Sequence, residues 1–389
     1  MATTHVFIVD STTFKVHLEY LFAGTGAGDK IVDFNNRSIT ALQHTTENNL
    51  VGMIADSQRI RKDDFIVFYL QQNASQGIYE GKFYGIFKAN EDLSFLDNNN
   101  RLQYLKNELV KSLTFRTLLV PYEIYAKGVT EWEALDEINN IQSPNQMLWS
   151  LIYRKLKGNR GNTMITIYES ERLFKLLRDK NNRQTLNANY FSYDIDNQEI
   201  IAISQRNNYK GKKEIINIFP RLENKYNNHR AFESHLQAYI VQNIGRGTNQ
   251  SLDTCLLGGL PIEWLGNEVS CGVGMQRIDA ACSLLNDNSR IIEAIELKAV
   301  EAGTDNIYQL QRYVDWLEQY YIPNRVSDIQ PVLVSKKIQD KTLAYYQEII
   351  ESFNTFNTRN HNCLPLKYIE YELVNHVLVF SEVQYYNRI

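Results

Sequence analysis

Proline is nearly missing from the first third of this sequence: of seven in 389 residues, none precedes Pro121. Proline removes a ladder donor, so its absence suits a closely paired sheet. The four cysteines (Cys255, Cys271, Cys282, Cys363) include no C-x-x-C pair and no histidine at zinc-finger spacing, which argues against a disulfide framework and a structural zinc. No apolar run approaches the roughly 20 residues needed to span a bilayer. The opening MATTHVFIVD shows no signal-peptide pattern, so a reducing, cytoplasmic setting without a membrane partner is expected. Positive charge is not in excess either. At a formal net charge of −4 the molecule as a whole does not advertise nucleic-acid binding, which leaves that question to local basic patches. The loop GTGAGD (24–29) has neither the spacing nor the Gly-Lys-Ser/Thr ending of a phosphate cradle.

Against these absences stands a high tyrosine count, 24, and a length that predicts two or three domains. HVFIVD, FIVFYL and FYGIFKA read as buried strands between residues 5 and 90. Residues 101–180 turn helical and basic, with Arg154, Lys155, Lys157 and Arg160 beside Trp149 and Tyr153, a combination able to contact phosphates. Residues 181–225 are rich in Asn, Lys and Arg and read as a connector with short strands. The predicted division is 1–180, 181–225 and 226–389.

The stretch RIIEAIELKAV (290–300) has the composition of a strand buried on both faces, yet it carries Glu296 and Lys298. Buried charges are expensive unless paired or bound to metal, and period 2 puts these two on one face. Glu293 falls on the other face, near the strand's start, where solvent reaches it more easily. Seventeen residues before Glu296 lies Asp279, in MQRIDAACSLL, with the turn NDNS between the two runs. The pattern is a hairpin with Asp on one strand and Glu-x-Lys on the next. Before it, HRAFESHLQAYIVQNIG reads as an amphipathic helix containing Glu233. After it, IYQLQRYVDWLEQYY reads as a helix with Thr304 as N-cap and with Gln309 and Tyr313 on one face.

This order resembles the PD-(D/E)XK nucleases, and the Q-x-x-x-Y pair resembles their RecB-type subgroup; the resemblance covers roughly residues 229–335. It implies an α/β (α+β) domain with a mixed sheet flanked by helices. It also implies that Gln309 and Tyr313 face the active site and the DNA backbone. Ile278 stands where that family carries a proline. Asp279 and Glu296 offer hard oxygen ligands for Mg²⁺ (or Mn²⁺ in its place), the Leu297 carbonyl a third, and Glu233 a fourth, direct or through water. Lys298 would orient or deprotonate the attacking water, and Gln309 would position that water or a phosphate oxygen.

The N-terminal segments FIVD, RIRKDDFIVFYL and GKFYGIFKA resemble, in their order, the PUA-like group that includes EVE and YTH domains. The step at Lys62, Asp63, Asp64, Phe65 and Tyr69 carries the match. The resemblance implies a β-barrel with helices that binds nucleic acid and accepts a base in an aromatic pocket. Residues 1–131 contain no tryptophan, so tyrosine and phenylalanine must build such a pocket; Tyr20, Tyr69 and Tyr84 are the candidates, with Phe22 and Tyr79. The expectation is a Mg²⁺-dependent DNA endonuclease of the restriction type, acting on double-stranded DNA. A homodimer is expected if one site per chain is to cut both strands. The rival readings are a repair nuclease for mismatched or branched DNA and a non-catalytic nucleic-acid-binding protein.

Overall fold

The computed structural model describes residues 2–27, 31–34, 44–98, 102–136, 140–148, 161–205, 207–271, 276–287, 289–321 and 329–385. The chain forms two compact units, one of Met1–Asp33 with Thr45–Asn217, the other of Phe34–His44 with Ile218–Ile389. Both mix helix and sheet, which places the chain in the α+β class.

The strands of the first unit are β1 Thr4–Val9, β2 Phe22–Thr25, β3 Phe65–Leu70, β4 Lys82–Ala89, β5 Phe95–Leu96, β6 Phe115–Glu123, β7 Val129–Thr130 and β8 Asn162–Ile165. They form one sheet in the order β2-β6-β4-β3-β1-β8, with β5 on β6 and β7 on β4. The continuous apolar runs arise because both faces are covered. β3 sends Ile66, Phe68 and Leu70 to one core and Val67 and Tyr69 to another. Burying each such side chain contributes about 1.5–3 kcal/mol. The segment RIRKDD forms the turn before β3. There Asp64 is buried and accepts hydrogen bonds from the Thr3 and Arg61 backbone N–H groups (3.1 and 2.9 Å) and contacts His5 (2.8 Å).

Helices α1 Ser11–Tyr20, α2 His44–Gln58, α3 Lys106–Leu109, α4 Glu131–Asp136 and α5 Ile167–Lys180 complete this unit. The first two lie where the sequence suggested mainly strands. α1 is started by a reciprocal cap between Asp10 and Thr13. Within GTGAGD, Gly24 and Thr25 belong to β2, where the missing Cβ of Gly24 lets the Phe22 ring and Leu113 close in. The stretch 181–225 divides between the units. Its strands β9 Phe191–Asp194 and β10 Glu199–Ala202 pair with each other, and Phe191, Tyr193 and Ile200 join the core around Phe14 and Phe68.

The second unit contains α6 Phe219–Asn227, α7 Glu233–Asn243, α8 Gln250–Leu257, α9 Asn306–Trp316 and α10 Ala344–Arg359. Its strands are β11 Ile262–Ser270, β12 Arg277–Asn286, β13 Ser289–Glu301, β14 Ile329–Lys336, β15 Lys367–Val374 and β16 Val377–Glu382, ordered as in the chain. β11, β12 and β13 are antiparallel neighbours, β13, β14 and β15 run parallel, and β16 closes the edge antiparallel. The parallel steps are crossovers through α9 and α10, as parallel pairing requires. α7 packs on β11–β13 and α9 on β13 and β14. The helix cap differs from expectation: Asp305 precedes α9, and Asn306 accepts the Gly303 N–H (2.8 Å), while Thr304 is exposed.

Candidate active site

β13 loses its two neighbours within two residues of each other. Its ladder with β12 runs from Asn286↔Ser289 to Ala280↔Ile295 and stops one step short of Asp279 and Glu296. Its ladder with β14 runs to Leu297↔Val334 and resumes only at Glu301↔Lys336, four positions along β13 against two along β14. Two surplus residues are therefore accommodated after Lys298, and the freed backbone is met by side chains instead. The Leu297 N–H donates to Asp279 Oδ2 (2.8 Å), and the buried Tyr371 hydroxyl on β15 donates to the Lys298 carbonyl (3.0 Å).

Around this gap the charged residues converge. Glu296 is 1% exposed; its Oε1 pairs with Lys298 Nζ, and its Oε2 lies 2.5 Å from the Tyr313 hydroxyl of α9. That hydroxyl is also 2.8 Å from the Arg277 carbonyl, so one proton serves two acceptors. Glu233, the first residue of α7, places Oε2 4.0 Å from Lys298 Nζ; its side chain is 49% exposed against 16% for Lys298. Gln309, one turn before Tyr313, is half-buried and makes no side-chain hydrogen bond among the described residues.

The electrostatics follow from three carboxylates sharing one ammonium. Burial, then the Glu296 charge, push the Asp279 carboxyl well above its usual range. Burial also raises Glu233, against the pull of Lys298. Burial works to lower the Lys298 ammonium, but Glu296, Glu233 and Asp279 outweigh it and hold it above its ordinary value. Tyr313 is driven far up by burial and by Glu296, which keeps it a neutral donor. Asp279 Oδ1 has no hydrogen-bond partner among the described residues.

Sequence reasoning missed two supports. Gln237 Nε2 donates to the Asp279 carbonyl (2.7 Å) and to Glu268 Oε1 (3.2 Å), and Glu268 pairs with Arg277 (2.5 Å). The signal was present, since Gln237 stands four residues after Glu233 on the same helix face. Tyr371 had no local signal, because a tyrosine in YIEYELV reads as core. Glu293, expected near solvent, is 1% exposed and neutralised by Lys367 (2.7 Å).

In the first unit, the candidates Arg154, Lys155 and Arg160 lie outside the described residues. Tyr69 and Tyr84 are core residues: Tyr69 donates to Glu131, and Tyr84 donates to the Gln198 carbonyl (2.8 Å). Phe22 is fully buried and Tyr79 is 73% exposed. Tyr20 is half-buried, its ring edge-on to Tyr104 at 5.9 Å.

Comparison with known proteins adds little. No protein-family description and no curated protein match the sequence. One similar solved structure is that of a hypothetical protein from Leishmania major, at 9% identity and a TM-score of 0.29, covering 46% of this chain and 97% of that one. A likeness of that size decides nothing about fold or activity.

Proposed function

We propose that the chain is a Mg²⁺-dependent DNA endonuclease whose second unit hydrolyses phosphodiester bonds. One observation carries this reading: Glu296 pairs with Lys298 and Tyr313, and Asp279 bonds to the Leu297 N–H between them, where β13 leaves both ladders. The order of Glu233, Asp279, Glu296, Lys298, Gln309 and Tyr313 along α7, β12, β13 and α9 supports the resemblance to PD-(D/E)XK nucleases.

The residues also suit a divalent ion. Among the described residues no three His, Cys, Asp or Glu side chains are grouped to hold a metal by themselves. Mg²⁺ does not ask for that, since it takes one or two carboxylates and keeps water or phosphate oxygens in the remaining positions. Asp279, with its free Oδ1, and Glu296 would hold it together with the Leu297 carbonyl. When bound, the ion lowers the pKa of water and offsets charge on the phosphate. Lys298, kept as an ammonium by its carboxylate neighbours, adds positive charge beside the scissile phosphate. Tyr313 fixes the Glu296 carboxylate, and Gln309, with an amide free to bond, orients water or a phosphate oxygen.

The first unit is proposed as the PUA/EVE-like part that reads DNA. With Tyr69 and Tyr84 committed to the core, Tyr20 is the one of the three named tyrosines that keeps surface for stacking. Defence against foreign DNA fits a reader joined to a cutter. Incubating the full chain and Mg²⁺ with plain, mismatched and base-modified duplexes separates the restriction, repair and non-catalytic readings. Cutting is expected on at least one duplex, and Asp279→Ala or Lys298→Ala should abolish it while DNA binding persists. Cleavage surviving both changes refutes the site.

A further inference from the structure

Resting on that reading of the site, we infer that Lys298 is a movable ammonium that occupies the metal's place on Glu296. Glu233 is then the ammonium's second partner and not a metal ligand. Both Glu296 oxygens accept a hydrogen bond, Oε1 from Lys298 and Oε2 from Tyr313 at 2.5 Å, and the ammonium on Oε1 competes with any second cation for the carboxylate charge. A cation shared between Glu296 and Asp279 needs one of these oxygens. Tyr313 cannot yield, since its ring is 3% exposed and it stands on a packed helix. Lys298 can, because its charge rides on a flexible four-carbon stem at the end of a broken ladder.

Glu233 stands where the displaced ammonium arrives. Its Oε2 is 4.0 Å from Nζ already. With one partner in each position, Lys298 is never left as an unpaired, half-buried charge, the state that costs most. The half-exposed setting of Glu233 suits this task better than it suits ligation beside the partly buried Asp279 and the buried Glu296. Metal affinity is then set by an exchange: the ion enters Glu296 as Lys298 crosses to Glu233.

The test reads Mn²⁺ binding to the full chain by electron paramagnetic resonance, so it needs no turnover. Lys298→Met removes the competitor and should tighten binding about tenfold or more. Glu233→Gln should weaken binding about fivefold in the native background, because the ammonium loses its refuge. In the Lys298→Met background it should change binding by less than about twofold, since no ammonium remains to be received. Equal losses in both backgrounds would make Glu233 a direct ligand or a simple long-range charge and overturn the exchange. Unchanged affinity in Lys298→Met overturns it as well. If none of the four proteins binds Mn²⁺, the metal reading of the site fails and the exchange falls with it.

Discussion

Asp279 is the residue whose neutralisation should separate stability from activity. Its carboxylate is desolvated, repelled by Glu296 and Glu233, and compensated by the Leu297 N–H and part of the Lys298 charge. Asp279→Asn keeps the shape and an oxygen acceptor for Leu297, loses about 1 kcal/mol of charge assistance in that bond, and removes the repulsion and desolvation. Burial that raises the carboxyl works against folding wherever the group is ionised. We expect a net gain of about 1–2 kcal/mol, the size of a relieved functional site, or about 2–8 °C in Tm for a unit of this size. The sign with pH is fixed. The folded carboxyl binds its proton more tightly than the unfolded one, so native stability falls as pH rises from 3.8 up through the raised folded value. The advantage of Asp279→Asn should therefore be largest at pH 7.5 and shrink toward pH 4. Calorimetry of both proteins with chelator present checks this. A variant no more stable than the native protein at pH 7.5, or an advantage that grows on acidification, refutes the reasoning.

Two further outcomes follow from the packing. Gln237→Leu leaves the Asp279 carbonyl without its side-chain donor and should lower stability by about 1–3 kcal/mol, read from urea midpoints, while slowing any cleavage through a displaced Asp279. In the first unit, His17 is buried between Phe22 and Phe68 with neither ring nitrogen partnered among the described residues, and burial lowers its pKa to about 3. The unfolded chain takes up that proton below about pH 6.5 while the folded chain refuses it until about pH 3, so stability is lost as pH falls through this window. His17→Phe should flatten that part of the pH–stability curve. An unchanged slope in thermal melts between pH 7 and pH 4 would contradict it.

What the sequence disclosed and what it hid have physical reasons. Glu296 and Lys298 were legible because charge in an apolar run contradicts solvation, and the period of a strand alone puts them on one face. Tyr313 was legible through helical spacing; its hydroxyl reaches Glu296. The polar composition of 181–225 concealed that Phe191, Tyr193 and Ile200 belong to a core, because three inward side chains in two short strands leave no periodic signal. Helix α1 was hidden for a similar reason: STTFKVHLEY mixes β-branched and polar residues, and its start depends on the cap between Asp10 and Thr13. Tyr69 and Tyr84 are surrounded by other aromatics in the sequence, and only three-dimensional packing separates a core ring from a stacking surface. Tyr371 and Lys298 are 73 residues apart, and such a contact has no trace in local pattern.

The surplus of two residues in β13 gives the site an unusual kind of sensitivity. Ala299 and Val300 can change identity without altering where Lys298 stands, because what they supply is length. Removing both would let β14 pair past Leu297 without a break, hand the Lys298 carbonyl to a backbone donor, and leave the Tyr371 hydroxyl buried without its acceptor. Chain length at this point is thus a determinant of chemistry, and deletions should be far more damaging there than substitutions.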